Sequence, residues 1–452
     1  MSGASVAEAS RPRDATWPKS RYRKLKPRPN GLSRDQVVEH QRTRIYEAIV
    51  EIAATRGYPA TTIKAICALA GVSRRTFYDL FGGNKEACFL GAYDYVVTRA
   101  VERMSLAYRG EEHPERRLCR AFDAYVSEVV DEPKAARLVL VDVLGAGPAA
   151  LARMRRTRLI FEEMVSASFS DARDGIMMLP LIAKAIVCGV ERITRQRLLA
   201  GDVAELPALA GELLAWALAY RSPATAGLAV ASPAALPAHC GGLAPCWPRA
   251  KADNDRARIL YSAARIAACK GYAQLTPAQI VCEAGVSEAT FDEHFESTEQ
   301  CFLDALDRLS LEALVCAARA FQSGEEGVAG MHRAIRALMR HIATNPVLVQ
   351  IAFVEIFALS PAGIGRRERL LGQFTDQLVR GLPKSRAPSR LVAEASVGAI
   401  WGIVHDHVTR GATHLLPGLA GYATYIALAP VIGGESALEV ILACKEEPQS
   451  LG

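Results

Sequence analysis

No apolar run in the chain approaches the roughly 20 residues that a helix needs to span a bilayer. The stretch 178–184 is broken by Pro180 and closes on Lys184. The first residues carry no apolar core of a signal peptide, so no membrane partner is expected. Cysteine patterning is also missing. Eleven cysteines are scattered, and neither a CxxC nor a His-rich segment stands beside Cys240 and Cys246. Cys119, Cys188, Cys269 and Cys316 stand in apolar helical runs and are expected as small buried hydrophobes in a reducing cytoplasm. No HExxH, nucleophile elbow or phosphate loop occurs. The best catalytic-looking cluster, His405-Asp406-His407, sets its histidines on different faces of a helix. No catalytic residue, metal ligand or cofactor is therefore expected. Excess charge of one sign is small: a net +6 permits nucleic acid as a partner without requiring it.

What is present is length and apolar content. At 452 residues the chain exceeds one ordinary domain, and half its residues are hydrophobic. The most informative stretch is 61–81. Thr62 is placed to cap a short helix in which Ile66 and Ala70 share a face. Gly71 follows, where a left-handed turn costs least, and Ser73 is the next N-cap. Phe77 and Phe81 then face inward, which leaves Arg74, Arg75 and Tyr78 pointing outward. A short helix that opens on two exposed arginines suits a DNA major groove, where arginine bonds guanine bidentately and hydroxyls hold phosphates. An ordinary helix pair with a solvated charged face is the alternative reading of the same pattern.

The flanks sharpen the pattern. Ile45, Ile49, Ile52 and Ala53 follow helical spacing up to a break at Gly57-Tyr58, and Lys85-Glu86 follows Phe81. With Thr61-Thr62, Ala70-Gly71-Val72-Ser73 and Thr76-Phe77-Tyr78, the run from Arg42 to Tyr93 resembles the DNA-binding domain of the TetR family of transcriptional regulators. The resemblance implies that the third helix enters the major groove and that Tyr78 and Lys85 touch phosphates. It also implies a larger helical domain behind, which binds a small molecule and dimerises through its last two helices.

Residues 1–38 lack periodicity, are rich in Arg, Lys and Pro, and are expected as a disordered basic arm along DNA. From about Thr98 to Tyr220 the chain reads as amphipathic helices, with Pro114, Pro133, Pro148 and Pro180 near their boundaries. Residues 222–250 are dominated by Ala, Pro and Gly and read as a linker.

Then the chain repeats itself. Ile259–Phe295 copies Ile45–Phe81 without a gap, Gly271-Tyr272 matching Gly57-Tyr58 and Thr290-Phe291 matching Thr76-Phe77. Pro346, Glu355 and Pro361 stand where Pro133, Asp142 and Pro148 stood, and 411–417 repeats 201–207. The copies differ in chemistry. Arg74, Arg75 and Tyr78 become Glu288, Ala289 and Asp292. Between 42 and 91 seven basic side chains stand against four acidic ones; between 255 and 304 four stand against eight. An acidic recognition helix repels phosphate. The second copy keeps its fold signals, and Thr276, Pro277 and Gln279 predict a capping box.

The expected architecture is all-α with two TetR-like units. Its parts are an arm (1–38), a helix-turn-helix domain (39–99, motif 62–81), a helical ligand-binding and dimerisation domain (100–221), a linker (222–250), a degenerate helix-turn-helix domain (251–309, motif 276–295) and a second helical domain (310–447). The expected function is that of a cytoplasmic bacterial regulator, a ligand-responsive repressor that binds double-stranded DNA through Thr62, Ser73, Arg74, Arg75, Thr76, Tyr78 and Lys85. A sensing or interaction module without specific DNA binding is the alternative. The effector is an unidentified small molecule. The runs 181–220 and 391–432 are expected to pair, within one chain as a pseudo-dimer or between chains.

Overall fold

The prolines that punctuate the sequence mark helix starts. The computed structural model describes residues 33–170, 179–221, 228, 254–324, 327–359 and 362–444, and every regular element among them is helical. The chain divides into two compact units, Met1–Tyr95 and Val96–Gly452. The arm up to residue 32 and the linker, apart from Leu228, lie outside the described residues.

The first unit contains α1 (Arg34–Arg56), α2 (Ile63–Ala70), α3 (Arg74–Phe81) and the start of α4 (Lys85–Arg109). Helix α1 begins inside the stretch expected to be arm. Ser33 Oγ accepts from Gln36 N at 3.2 Å and Gln36 Oε1 accepts from Ser33 N at 2.9 Å. This closed capping box satisfies two orphan donors and starts the helix before the first apolar residue. Ile45, Ile49, Ile66, Ala70, Phe77 and Phe89 form the buried core. Phe81 is only half-buried, against Phe77 at 5.1 Å and Tyr46 at 5.9 Å. Arg44 is buried and donates to the Ala70 carbonyl, so it serves the turn rather than a partner.

The second unit runs through α5 (Pro114–Asp131), α6 (Pro133–Leu140), α7 (Pro148–Ser170), α8 (Pro180–Ala200) and α9 (Leu206–Leu218). The same order then returns. A three-helix head, α10 (Asp255–Lys270), α11 (Pro277–Ala284) and α12 (Glu288–His294), leads into α13 (Thr298–Gln322). There follow α14 (Val328–Thr344), α15 (Pro346–Phe353), α16 (Ala362–Arg380), α17 (Arg390–Thr409) and α18 (Ala420–Ile432), and then α19 (Gly434–Ala443), which has no described counterpart in the first half. Pro114, Pro133, Pro148, Pro180, Pro277 and Pro346 each stand first in a helix, where a missing N–H costs nothing.

Helices α8 and α17 cross closely because glycines line the contact. A Cβ on Gly402 would strike Cys188, one on Gly398 would strike the Arg192 side chain, and one on Gly189 would strike Trp216. Polar bonds fix the crossing. Trp216 Nε1 donates to Ser396 Oγ at 3.0 Å, Tyr220 Oη donates to the Ile426 carbonyl at 2.9 Å, and Lys184 Nζ meets Asp406 Oδ2 at 2.6 Å. The runs 181–220 and 391–432 thus pack on one another within a single chain.

Two sequence expectations are corrected here. Thr413–Ile432 is, by length and composition, apolar enough to cross a membrane, although 56% of its apolar window is buried among neighbouring helices. The interruptions by Pro417 and Pro430 hid its length in the sequence. Cys188 is buried and Cys119 and Cys316 are half-buried, but Cys269 is exposed in the polar last turn of α10.

Candidate nucleic-acid interface

Local rules build the first reading head. Thr62 Oγ1 accepts from Ala65 N at 3.2 Å and starts α2. Gly71 takes φ 63°, ψ 36° and turns the chain, with its N–H on the last carbonyls of α2. Ser73 Oγ accepts from Thr76 N at 3.0 Å and lies 2.9 Å from Thr76 Oγ1. Phe77 then points into the core, and the geometry of a two-turn helix turns Arg74, Arg75 and Tyr78 outward. Tyr78 is 55% exposed, high for so large a ring. Its ring lies over Gly83, whose φ of 72° and missing Cβ make the room.

Arg74 and Arg75 have no carboxylate partner among the described residues. Lys85 is different. It is half-buried, with Nζ 3.2 Å from the Tyr58 carbonyl and 4.3 Å above the Tyr58 ring, and burial pulls its pKa below the usual lysine range. One of its three N–H donors is therefore engaged inside the head. Lys64, exposed on α2 two residues after the Thr62 cap, adds a positive charge to the first head. Sequence reasoning counted its charge but missed its position; the signal was a lysine two residues after a helix cap.

The second head repeats this frame residue for residue. Thr276 caps α11, Gly285 turns at φ 66°, and Ser287 Oγ accepts from Thr290 N at 3.0 Å. The Ser–Thr hydroxyl pair recurs at 2.8 Å, so in both heads it belongs to the fold. The expected capping box is only half formed. Gln279 N reaches Thr276 Oγ1 at 3.4 Å, while Gln279 Oε1 is buried without a hydrogen-bond partner among the described residues.

The outward face is acidic. Glu288, Asp292, Glu293, Glu296 and Glu299 are all exposed. Three of the head's four basic residues are spent on carboxylates: Arg256 on Asp304 at 2.8 Å, Arg258 on Asp255 at 2.5 Å, and Arg265 on Glu283. This head is also tied to the helical domain behind it. Tyr272 N donates to Glu355 Oε2 at 2.8 Å, and Gln350 Nε2 donates to Glu355 Oε1 at 3.0 Å.

Behind the second head, α13–α18 line a partly open apolar pocket of about 120 Å³, with Met339, Phe353, Leu371, Phe374 and Trp401 among its residues. The three side chains of His405-Asp406-His407 are engaged separately. His407 Nδ1 lies 2.8 Å from the Ile403 carbonyl, Asp406 is paired to Lys184 and Arg410, and His405 turns into the interior.

Comparison with known proteins places these heads. The family model described as bacterial regulatory proteins, tetR family, matches residues 45–92 and again 259–305. Among solved structures, a TetR-like transcriptional regulator from Rhodococcus sp. RHA1 is similar at 25% identity. That match covers 44% of this chain and 98% of that one, with a TM-score of 0.34. No curated protein matches the chain.

Proposed function

Since the chain is a tandem TetR-family protein and a DNA-binding transcription regulator, we propose that it reads DNA with its first head alone and uses the second half as a sensor. One observation carries this reading: the same backbone frame presents Arg74, Arg75 and Tyr78 in the first head and Glu288, Ala289 and Asp292 in the second. Phosphate attraction supplies most non-specific affinity, so the acidic face loses it and the basic face keeps it. Arg74 and Arg75 contact bases or phosphates, and Thr62, Ser73, Thr76, Tyr78 and Lys85 hold phosphates with hydroxyls, amide ends and charge.

Ligand response belongs to the helices behind the heads. An apolar pocket of about 120 Å³ is close to the roughly 150 Å³ that accepts a benzene ring. The effector is a small apolar molecule of about that size. It switches DNA binding only by favouring one of two states of the protein. Repression is the mode: a bound regulator blocks transcription until the effector releases it. The protein works in the bacterial cytoplasm, where its DNA is.

The test uses duplexes selected from random sequence by the wild-type protein. In a mobility-shift titration Arg75→Ala weakens binding by about 1–3 kcal/mol. Glu288→Ala leaves binding unchanged or strengthens it. Equal losses from both changes contradict the reading, and failure of the wild type to select any sequence favours a sensing or interaction module instead.

A further inference from the structure

The turn that leaves the recognition helix is built differently in the two heads. In the first head it runs from α3 to α4 through Gly82 and Gly83, both left-handed at φ 59° and 72°. Its ends are held. Gly82 N donates to the Tyr78 carbonyl at 2.8 Å, and Asn84 N donates to the Phe81 carbonyl at 3.0 Å. Asn84 Oδ1 then caps α4, accepting from Glu86 N at 2.8 Å. In the second head α12 passes to α13 through Phe295, extended at φ −143°, and Glu296, with Ser297 as the cap. That turn contains no glycine and is one residue shorter: Phe81 to Cys88 is seven positions, and Phe295 to Cys301 is six. Both turns join the same pair of helices, so the helical frame does not require the extra glycine. The first head has a large side chain to seat, Tyr78, where the second has Asp292.

Tyr78 stands on α3 with 55% of its surface exposed. Its hydroxyl makes no hydrogen bond among the described residues, so no polar contact within the head fixes the ring. Gly83 does so by contact. A Cβ built on Gly83 would stand 2.5 Å from Cε1, 2.8 Å from Cδ1 and 3.2 Å from Cζ of Tyr78, so one edge of the ring occupies the space a side chain would take. Gly82 is the contrast. It shares the left-handed backbone, but an added Cβ there meets nothing within 4 Å. A ring already held in place loses less freedom when its hydroxyl takes a partner.

We infer that Gly83 is a positioning residue for DNA binding: it seats the Tyr78 ring so that the hydroxyl meets a backbone phosphate already oriented. Its effect on DNA passes through Tyr78. The second head lacks the tyrosine and the glycine turn together, as expected if the turn serves the side chain rather than the fold. The inference rests on the first head being the one that reads DNA.

Mobility-shift titrations of the full-length protein, on a duplex selected from random sequence by the wild type, compare Tyr78→Phe, Gly83→Ala, the two changes combined, and Gly82→Ala. Tyr78→Phe and Gly83→Ala each weaken binding about tenfold, the worth of one hydrogen bond to a charged group. The combined variant binds no more weakly than either alone, because both changes remove the same contact. Gly82→Ala carries the same kind of backbone strain away from the ring; it melts lower than the wild type and binds DNA as well. Replacing phosphates one at a time with neutral methylphosphonate finds a position that penalises the wild type and Gly82→Ala but neither Tyr78→Phe nor Gly83→Ala. Wild-type affinity in Gly83→Ala, additive losses in the combined variant, or an equal loss in Gly82→Ala overturns the inference. If Arg75→Ala weakens binding and Tyr78→Phe does not, the inference falls and the DNA-reading assignment stands. If neither change weakens binding, the assignment falls as well.

Discussion

At the residue scale, identical backbone positions carry opposite chemistry, and buried titratable groups show what each position costs. Asp142 is 3% exposed, its Oδ2 accepts no hydrogen bond among the described residues, and Arg137 Nε is 3.9 Å away. Burial pushes its carboxyl up to about 7 against the pull of Arg137. In the unfolded chain an aspartate releases its proton near 3.9. Between these values the folded state holds the extra proton, so this group's contribution to stability is full below about pH 4 and is lost as pH rises through 7. Asp142→Asn therefore stabilises the protein at pH 8, by on the order of a few kcal/mol, and adds little at pH 4.5. Urea denaturation at the two pH values checks this; an equal effect at both would mean that Asp142 is not held protonated. In the second half Glu355 stands at this place, one methylene longer, and bonds both Tyr272 N and Gln350.

The single residues that were legible in the sequence are those governed by local rules. Gly71, Ser73 and Thr62 follow from backbone sterics and side-chain capping within three residues, and each does what the sequence predicts. Ser33 obeys the same capping chemistry but was hidden in a basic, proline-rich stretch with no apolar period to announce a helix. The arginines buried between the two halves were not legible. Arg192 and Arg367 lie 175 positions apart and read singly as solvated charge, and only tertiary packing buries them together.

At the element scale, the crossing of α8 and α17 depends on missing side chains. Gly402 lies against Cβ and Sγ of Cys188, which sits on a helix that cannot yield. Gly402→Ala overpacks the crossing and costs about 1–3 kcal/mol. Cys188→Ala in the same chain recovers part of that loss, because the two sites share one space. Gly372→Ala, on α16 with nothing within 4 Å of the added Cβ, is the control and is neutral or stabilising by up to about 1 kcal/mol through helix propensity. Denaturation midpoints of the wild type, Gly402→Ala, Cys188→Ala, the double variant and the control test the set; additive losses at Gly402 and Cys188 would mean that the helices do not touch there. The pairing of these runs was implied by the family resemblance and by the repeat along the chain. Their angle and glycine contacts were not, because a glycine in a helix reads the same whether it faces solvent or a neighbour.

At the scale of the whole molecule, the paired runs that would otherwise join two subunits are satisfied inside one chain. Tryptophan, tyrosine and lysine of the first half find their partners in the second. Closure within a chain is favoured by the high effective concentration that tethering gives. Light scattering at low concentration is expected to give a 48.7 kDa particle rather than one of twice that mass. Such a molecule brings one basic and one acidic head to DNA, where a symmetric dimer would bring two equal ones. The most direct test is the symmetry of the DNA it selects from random duplexes. One reading head per chain predicts a single half-site or an asymmetric site bound by one chain, lost on changing Arg74 and Arg75 together to Ala. A palindrome with two equal half-sites, each bound with equal strength, would contradict it.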